Sequence, residues 1–346
     1  MALQDARGEQ LMLELQARDA WNQRDYVKAQ SLAEQVAVAS AACGDEGGWW
    51  NATFLVSEAL RKQGRMHDSR DIADKLGAHE LTRASEALSA RVATLTSFAL
   101  QGSGDLTLAV KSAREAVSFA SDLAEHKGIR MEAQNALIAA LADSDQLSDA
   151  WQECLKLADL LSSEPSSQTS GLGYWAIGNV AFLLEHIAEG VSYHELAAKN
   201  LSPSNDLDLW ARFNRGSAQF RLAAGVTEPE TLECIERAEM AGSIVGGTER
   251  DRLELVLTRA QWLVLTGQFE AAVEQLTTVV ERKHLLASHI AAQAHFLLGQ
   301  ALSTRSSDAE AILNLEKSAD LFLESGAEDR ASTARALIRS LQKPAD

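Results

Sequence analysis

A small residue followed four positions later by an apolar one recurs along this chain at intervals of about 40 residues, and no other feature constrains the fold as much. The step is clearest within Leu253 to His284, LELVLTRAQWLVLTGQFEAAVEQLTTVVERKH. There Val256, Ala260, Leu263 and Val264 fall at helical spacing, and Gly267 stops the helix where a residue without a Cβ can reverse the chain. Phe269 restarts the pattern. Ala272, Leu276, Val279 and Val280 then line one apolar face, with small Ala272 where two helix backbones must come close. A single hairpin of this kind buries too little surface to be stable alone, so its outer face requires a copy of itself.

The copies appear when the register is slid along the chain. Ala272 to Leu276 has counterparts in Ala29 to Ala33, Ser69 to Ala73, Ala109 to Ala113, Ala150 to Cys154 and Ala311 to Leu315. Tyr26, Met66, Leu106, Leu147 and Asp308 fill the place of Phe269. Successive offsets are 40, 40 and 41, then 122, then 39. Because 122 is three such periods, two obscured copies are expected near residues 172–245, making eight hairpins in all.

The chain resembles the tetratricopeptide-repeat family. The family pattern is met in part by His295, Leu298, Gly299, Leu302, Ala311 and Leu315, and by Ala260, Leu263, Gly267, Ala272 and Leu276. Its Trp and Tyr positions are mostly aliphatic here, and the proline that closes a standard repeat is absent. The period exceeds the family's usual length of about 34, which implies longer helices or loops. The resemblance implies an all-α protein, an α-solenoid coiled as a right-handed superhelix of about eight tetratricopeptide-like hairpins plus a C-terminal capping helix. It further implies that peptides or proteins bind along the inner face.

On this reading residues 1–162 hold repeats one to four and residues 172–327 hold repeats five to eight. Residues 163–171, within SSEPSSQTSG, form a Ser- and Pro-rich loop that would serve as a hinge. Residues 328–346 make a final helix and tail, whose Arg330, Arg335, Arg339 and Lys343 lie on its polar side. Asp25 is a candidate N-cap, and Pro229 opens a helix where its missing N–H costs nothing. Repeat three is expected over roughly Glu80 to His126, turning at Gly102 to Asp105. His186 and His194 are read as straddling a turn near Gly190.

Only 4 prolines in 346 residues agree with an all-helical chain. A formal charge of −17 argues against direct nucleic-acid binding, which calls for a basic stripe. The three cysteines, Cys43, Cys154 and Cys234, are far apart and fit buried thiols in a reducing cytoplasm. The N-terminus has no signal-peptide pattern, and no apolar run is long enough for a membrane span, so a cytoplasmic protein without a membrane partner is expected.

No catalytic constellation or cofactor motif is present. His284, His289 and His295 are five and six residues apart and do not share a helix face as metal ligands would, so no metal is expected. By resemblance to the family, the groove is lined by the first helix of each hairpin. The register carries that lining onto Glu14, Arg18, Trp21 and Asn22, onto Asn51, Phe54, Glu58, Arg61 and Lys62, onto Arg91, Thr94, Phe98 and Gln101, and onto Glu132 and Asn135. Of these, Arg18, Trp21, Asn22, Asn51, Phe54, Arg61, Arg91, Phe98 and Asn135 are the candidate ligand-binding residues. Asn both donates and accepts, Arg offers a bidentate fork, and the aromatics can pocket apolar side chains. The corresponding C-terminal positions, among them Val180, Leu183, Phe220, Leu257, Gln261, Val264, Gln293, Phe296 and Gln300, are blander.

The expected function is non-enzymatic recognition of a peptide or protein segment in the concave groove. A narrower resemblance is to the repeat-built sensor regions of bacterial transcription regulators, including peptide-responsive regulators of Gram-positive bacteria, but without their DNA-binding helix-turn-helix. The alternative is a structural scaffold or assembly factor that holds larger partners or self-associates as a homo-oligomer, a role that exposed apolar residues on the convex helices would favour.

Overall fold

The computed structural model describes residues 2–121, 123, 125–162, 167–246, 249–304, 308–324 and 328–342, with side chains from residue 7 onward. The described residues hold eighteen α-helices and no strand. They fall into two compact units that divide between Leu184 and Glu185.

In the first unit α1 (Ala2–Asn22) pairs with α2 (Tyr26–Ala42), and α3 (Glu46–Lys62) with α4 (Met66–Gly77). After the four-residue α5 (Glu80–Arg83), α6 (Glu86–Ser103) pairs with α7 (Leu106–Ala120) and α8 (Lys127–Asp143) with α9 (Leu147–Ser162). The unit closes with α10 (Gln168–Leu183). Every partner is near in sequence, since consecutive helices pack and the first helix of one hairpin meets the first of the next, as in α3 with α6, α6 with α8 and α8 with α10.

Repeat three begins its long helix at Glu86 rather than Glu80, because His79 to Ser85 serves another purpose. The Thr82 hydroxyl donates to the Leu76 carbonyl at 2.6 Å and accepts from Trp50 Nε1 at 2.8 Å, which anchors the Trp50 ring in the core. The Ser-rich stretch is also partly helical: Ser162 ends α9, the Ser167 hydroxyl accepts from the Ser170 N–H, and α10 starts at Gln168. Its residues 163–166 lie outside the described residues, as does Lys343.

The second unit opens with α11 (Ile187–Asn200). Next come α12 (Leu207–Ala223) with α13 (Pro229–Val245), α14 (Glu249–Leu265) with α15 (Phe269–Glu281), and α16 (Ser288–Ser303) with α17 (Asp308–Glu324). A single 3₁₀ turn, Lys283–Leu285, follows α15. The last helix, α18 (Glu328–Leu341), places Ala331 and Ala334 against Ala292, Ala319 and Phe322 and so covers the face that the final hairpin leaves open. No helix among the described residues is long and apolar enough to cross a membrane.

The small-to-apolar step is the backbone of the core. Every residue identified for it by sequence, from Ala29 and Ala33 to Ala311 and Leu315, is at most 1% exposed. The two obscured copies are Gly190 to His194 in α11 and Thr231 to Ile235 in α13, at offsets of 40, 41 and 41 from their neighbours. Gly190 is thus within a helix rather than at a turn. His194 stands in the apolar slot, 1% exposed, with Nδ1 2.9 Å from the Ser217 hydroxyl and its ring edge-on to Phe213.

The turns inside the hairpins repeat as well. A residue with positive φ recurs at Arg24, Gly64, Gly104, Asp145, Glu185, Gly225 and Gly267, so the left-handed conformation, more than glycine itself, is what the turn demands. Asp25 caps α2 by accepting from the Lys28 N–H at 3.0 Å, and Pro229 takes the first position of α13.

Candidate functional site

Successive first helices present the same register positions side by side, and in the first unit three of them gather a polar cluster. On α3, Trp50 and Phe54 stack with centroids 5.3 Å apart and planes 15° from parallel. Arg91 of α6 lies over both rings, its Cζ 4.2 Å from the Phe54 centroid and 5.0 Å from that of Trp50. Arg61 of α3 reaches the other way, with Cζ 5.2 Å from the Phe98 centroid on α6. Each guanidinium therefore rests on an aromatic face of the neighbouring repeat, a contact of about 0.5–2 kcal/mol that also holds a long side chain in one orientation.

Two carboxylates share the cluster. Glu58 Oε1 lies 3.9 Å from Arg61 Nη2. Burial pushes the Glu58 carboxyl above its usual range, with Glu132 adding to the rise while Arg61 and Arg91 oppose it. Glu132 on α8 is raised by burial too, against the pull of Arg91 and Arg61. Its surface is open to solvent, so we attribute the rise to the protein atoms gathered near the carboxylate rather than to enclosure.

One turn beyond Glu132 stands Asn135, and at the matching position of α6 stands Thr94. Asn135 Oδ1 and Thr94 Oγ1 are both buried and, among the described residues, make no hydrogen bond. A buried polar atom left unpaired costs about 1–3 kcal/mol, so two on adjacent helices mark where a donor from outside would be gained at little further cost.

Of the residues singled out from sequence, Phe54, Arg61, Arg91 and Phe98 are in direct contact across α3 and α6, and Asn135 follows on α8. Arg18 and Asn22 are exposed on α1, Trp21 packs edge-on against Tyr26 with centroids 5.3 Å apart, and Asn51 is exposed on α3. Glu58, Glu132 and Thr94 hold register positions of the lining without being among the candidate residues, and Trp50 lies outside that register. Its signal was its spacing of four from Phe54.

Hairpins repeated about every 40 residues, each with a small residue at the close approach of its helices, make this chain an α-solenoid of the tetratricopeptide-repeat type. No family model matches the sequence, and no curated protein matches it. Among solved structures it is similar to a Rap protein complexed with competence and sporulation factor, at 10% identity over 98% of each chain and a TM-score of 0.57. It is also similar to the apo form of RapI, at 11% identity, covering 80% of this chain and 98% of that one, with a TM-score of 0.55. A tetratricopeptide repeat protein from Parabacteroides merdae ATCC 43184 follows at 12% identity, 85% and 98% coverage and a TM-score of 0.48. Likeness at such identities is one of fold.

Proposed function

We propose that this chain is a non-enzymatic binding protein that takes a peptide or protein segment on the inner face of its first unit and acts as a regulatory sensor. The observation that carries the reading is the α3–α6–α8 cluster, where Arg61 and Arg91 are preset on aromatic rings while Thr94 Oγ1 and Asn135 Oδ1 lack partners among the described residues. Preset arginines lose little freedom on pairing with a carboxylate, and an Asn oxygen accepts from a backbone N–H, which together suit a peptide. The fold is shared with a Rap protein solved with competence and sporulation factor, which supports the same reading.

The test is native co-purification followed by mass spectrometry, comparing the protein with an Arg91→Ala/Asn135→Ala variant whose helical circular dichroism is unchanged. One peptide or protein lost only from the variant is the expected result. Equal recovery would overturn the proposal and favour the scaffold reading, for which Met240 and Ile244 supply an exposed apolar pair at helical spacing on α13, 62% and 68% exposed.

A further inference from the structure

The first helices that end at a left-handed turn residue share a slot four positions before it. Ala20, Leu60, Leu100, Leu141, Ala181 and Leu263 fill that slot, and all are buried. On α12, which turns at Gly225, the slot holds Arg221, and it is buried as deeply, at 4% exposed. A cation stands where the repeat calls for an apolar side chain.

Every other arginine of α12 and α13 has a carboxylate of its own. Arg212 meets Asp208 at 3.1 Å, Arg215 meets Glu254 at 3.5 Å and Arg237 meets Glu233 at 2.7 Å. Arg221 makes, among the described residues, neither an ion pair nor a side-chain hydrogen bond, and its Nε is buried. A buried charge without a partner is among the costliest features a fold can carry, and a guanidinium cannot shed its proton to escape the cost. A counter-charge from outside the chain would remove it.

The surroundings supply hydrogen-bond donors. One turn before Arg221 on the same face of α12, the buried Ser217 hydroxyl lies 2.9 Å from His194 Nδ1 and accepts from the Cys234 thiol at 3.9 Å. Burial pushes the Cys234 thiol up, with Arg221 and Ser217 opposing the rise, so at neutral pH the thiol keeps its proton and does not serve as the counter-ion. Ala218, Leu222, Ile235 and the Trp262 ring close the setting with apolar surface. His194 and Arg221 thus both bring polar groups into slots that are apolar elsewhere, and both neighbour Ser217.

We propose that Arg221 holds a small monovalent inorganic anion of about the size of chloride, with the Ser217 hydroxyl and the Cys234 thiol as further donors. One negative charge neutralises one guanidinium, and an arginine only 4% exposed leaves little opening for a larger ligand. His194 in its Nδ1–H tautomer donates to Ser217 and frees the hydroxyl hydrogen for the anion. The ion then stands in for the missing leucine and fastens α11, α12 and α13 where the repeats depart most from their pattern. The site is independent of the peptide reading of the first unit.

The test is thermal unfolding of the full chain while sodium gluconate is exchanged stepwise for sodium chloride or bromide at constant ionic strength, which holds general screening fixed. The expected result is a melting temperature that climbs with the logarithm of chloride, the folding constant gaining up to about tenfold for each tenfold in chloride once the site is mostly filled. Arg221→Leu restores a residue that other repeats carry in this slot, and Arg221→Met keeps a long unbranched side chain. Both should lose the response, while Arg212→Gln, on the exposed side of α12, keeps it. A crystal grown in bromide should show an anomalous peak beside the Arg221 guanidinium. A parent indifferent to chloride and bromide, an equal response in Arg221→Leu and Arg221→Met, or a bromide crystal without that peak would overturn the proposal.

Discussion

A methyl group added at Gly299 would lie 2.6 Å from Leu315 Cγ and 3.1 Å from the Ala311 carbonyl oxygen. In an open helix, Gly→Ala gains roughly 1 kcal/mol, but overpacking costs about 1–3 kcal/mol, so here the sign reverses. Gly299→Ala should lower the melting temperature, and an unchanged or higher value would show that the two helices can part without cost. Glu58 makes the converse case. Its carboxyl is raised in the folded state, so the ionised form opposes folding at neutral pH. As pH falls through the raised value, the folded chain takes up the proton before the unfolded chain does, and the penalty disappears. Glu58→Gln should therefore match or exceed the parent melting temperature at pH 7, and the gap should close as pH drops below the ordinary glutamate range. A variant less stable at pH 7 would mean that the ion pair with Arg61 outweighs desolvation. Cys154 is inert for a related reason, since burial pushes its thiol up to about 12.

Among elements, the turns within hairpins were the most legible. Gly64, Gly104 and Gly267 announce left-handed backbone, and the structure puts φ at 78°, 86° and 76° there. Gly267 has open space around it, so Gly267→Ala would carry backbone strain alone, about 1–2 kcal/mol, read as a lower denaturation midpoint at unchanged slope. No change would show that the turn tolerates another conformation. Repeats five and six were hard to read for definable reasons. His194 occupies an apolar slot by giving its polar edge to Ser217, Thr231 stands where a small residue is usual, and the turn before α13 is longer than its counterparts. The candidate site was half legible. Register shows which side chains face inward on each first helix, which is how Phe54, Arg61, Arg91 and Phe98 were found. It does not show which of them cross to the next repeat, so the union of Arg91 with Trp50 and the clustering of Glu58 with Glu132 required coordinates.

On the scale of the whole molecule, stability is a sum of local terms because the main helix contacts among the described residues join near neighbours in sequence. Leu276 is fully buried, and Leu276→Ala should cost about 2–5 kcal/mol. Hydrogen exchange should then speed up in α14, α15 and α16 while α2, α3 and α4 keep their protection, whereas uniform acceleration would mean that the chain unfolds as one cooperative block. The same neighbour-only packing determines how the chain bears load. Pulled between its ends, it should behave as a series of separate fasteners, giving way one hairpin at a time. Each release would add the contour of about 40 residues, on the order of 140 Å, so the protein would yield in regular steps and dissipate work without losing its remaining repeats.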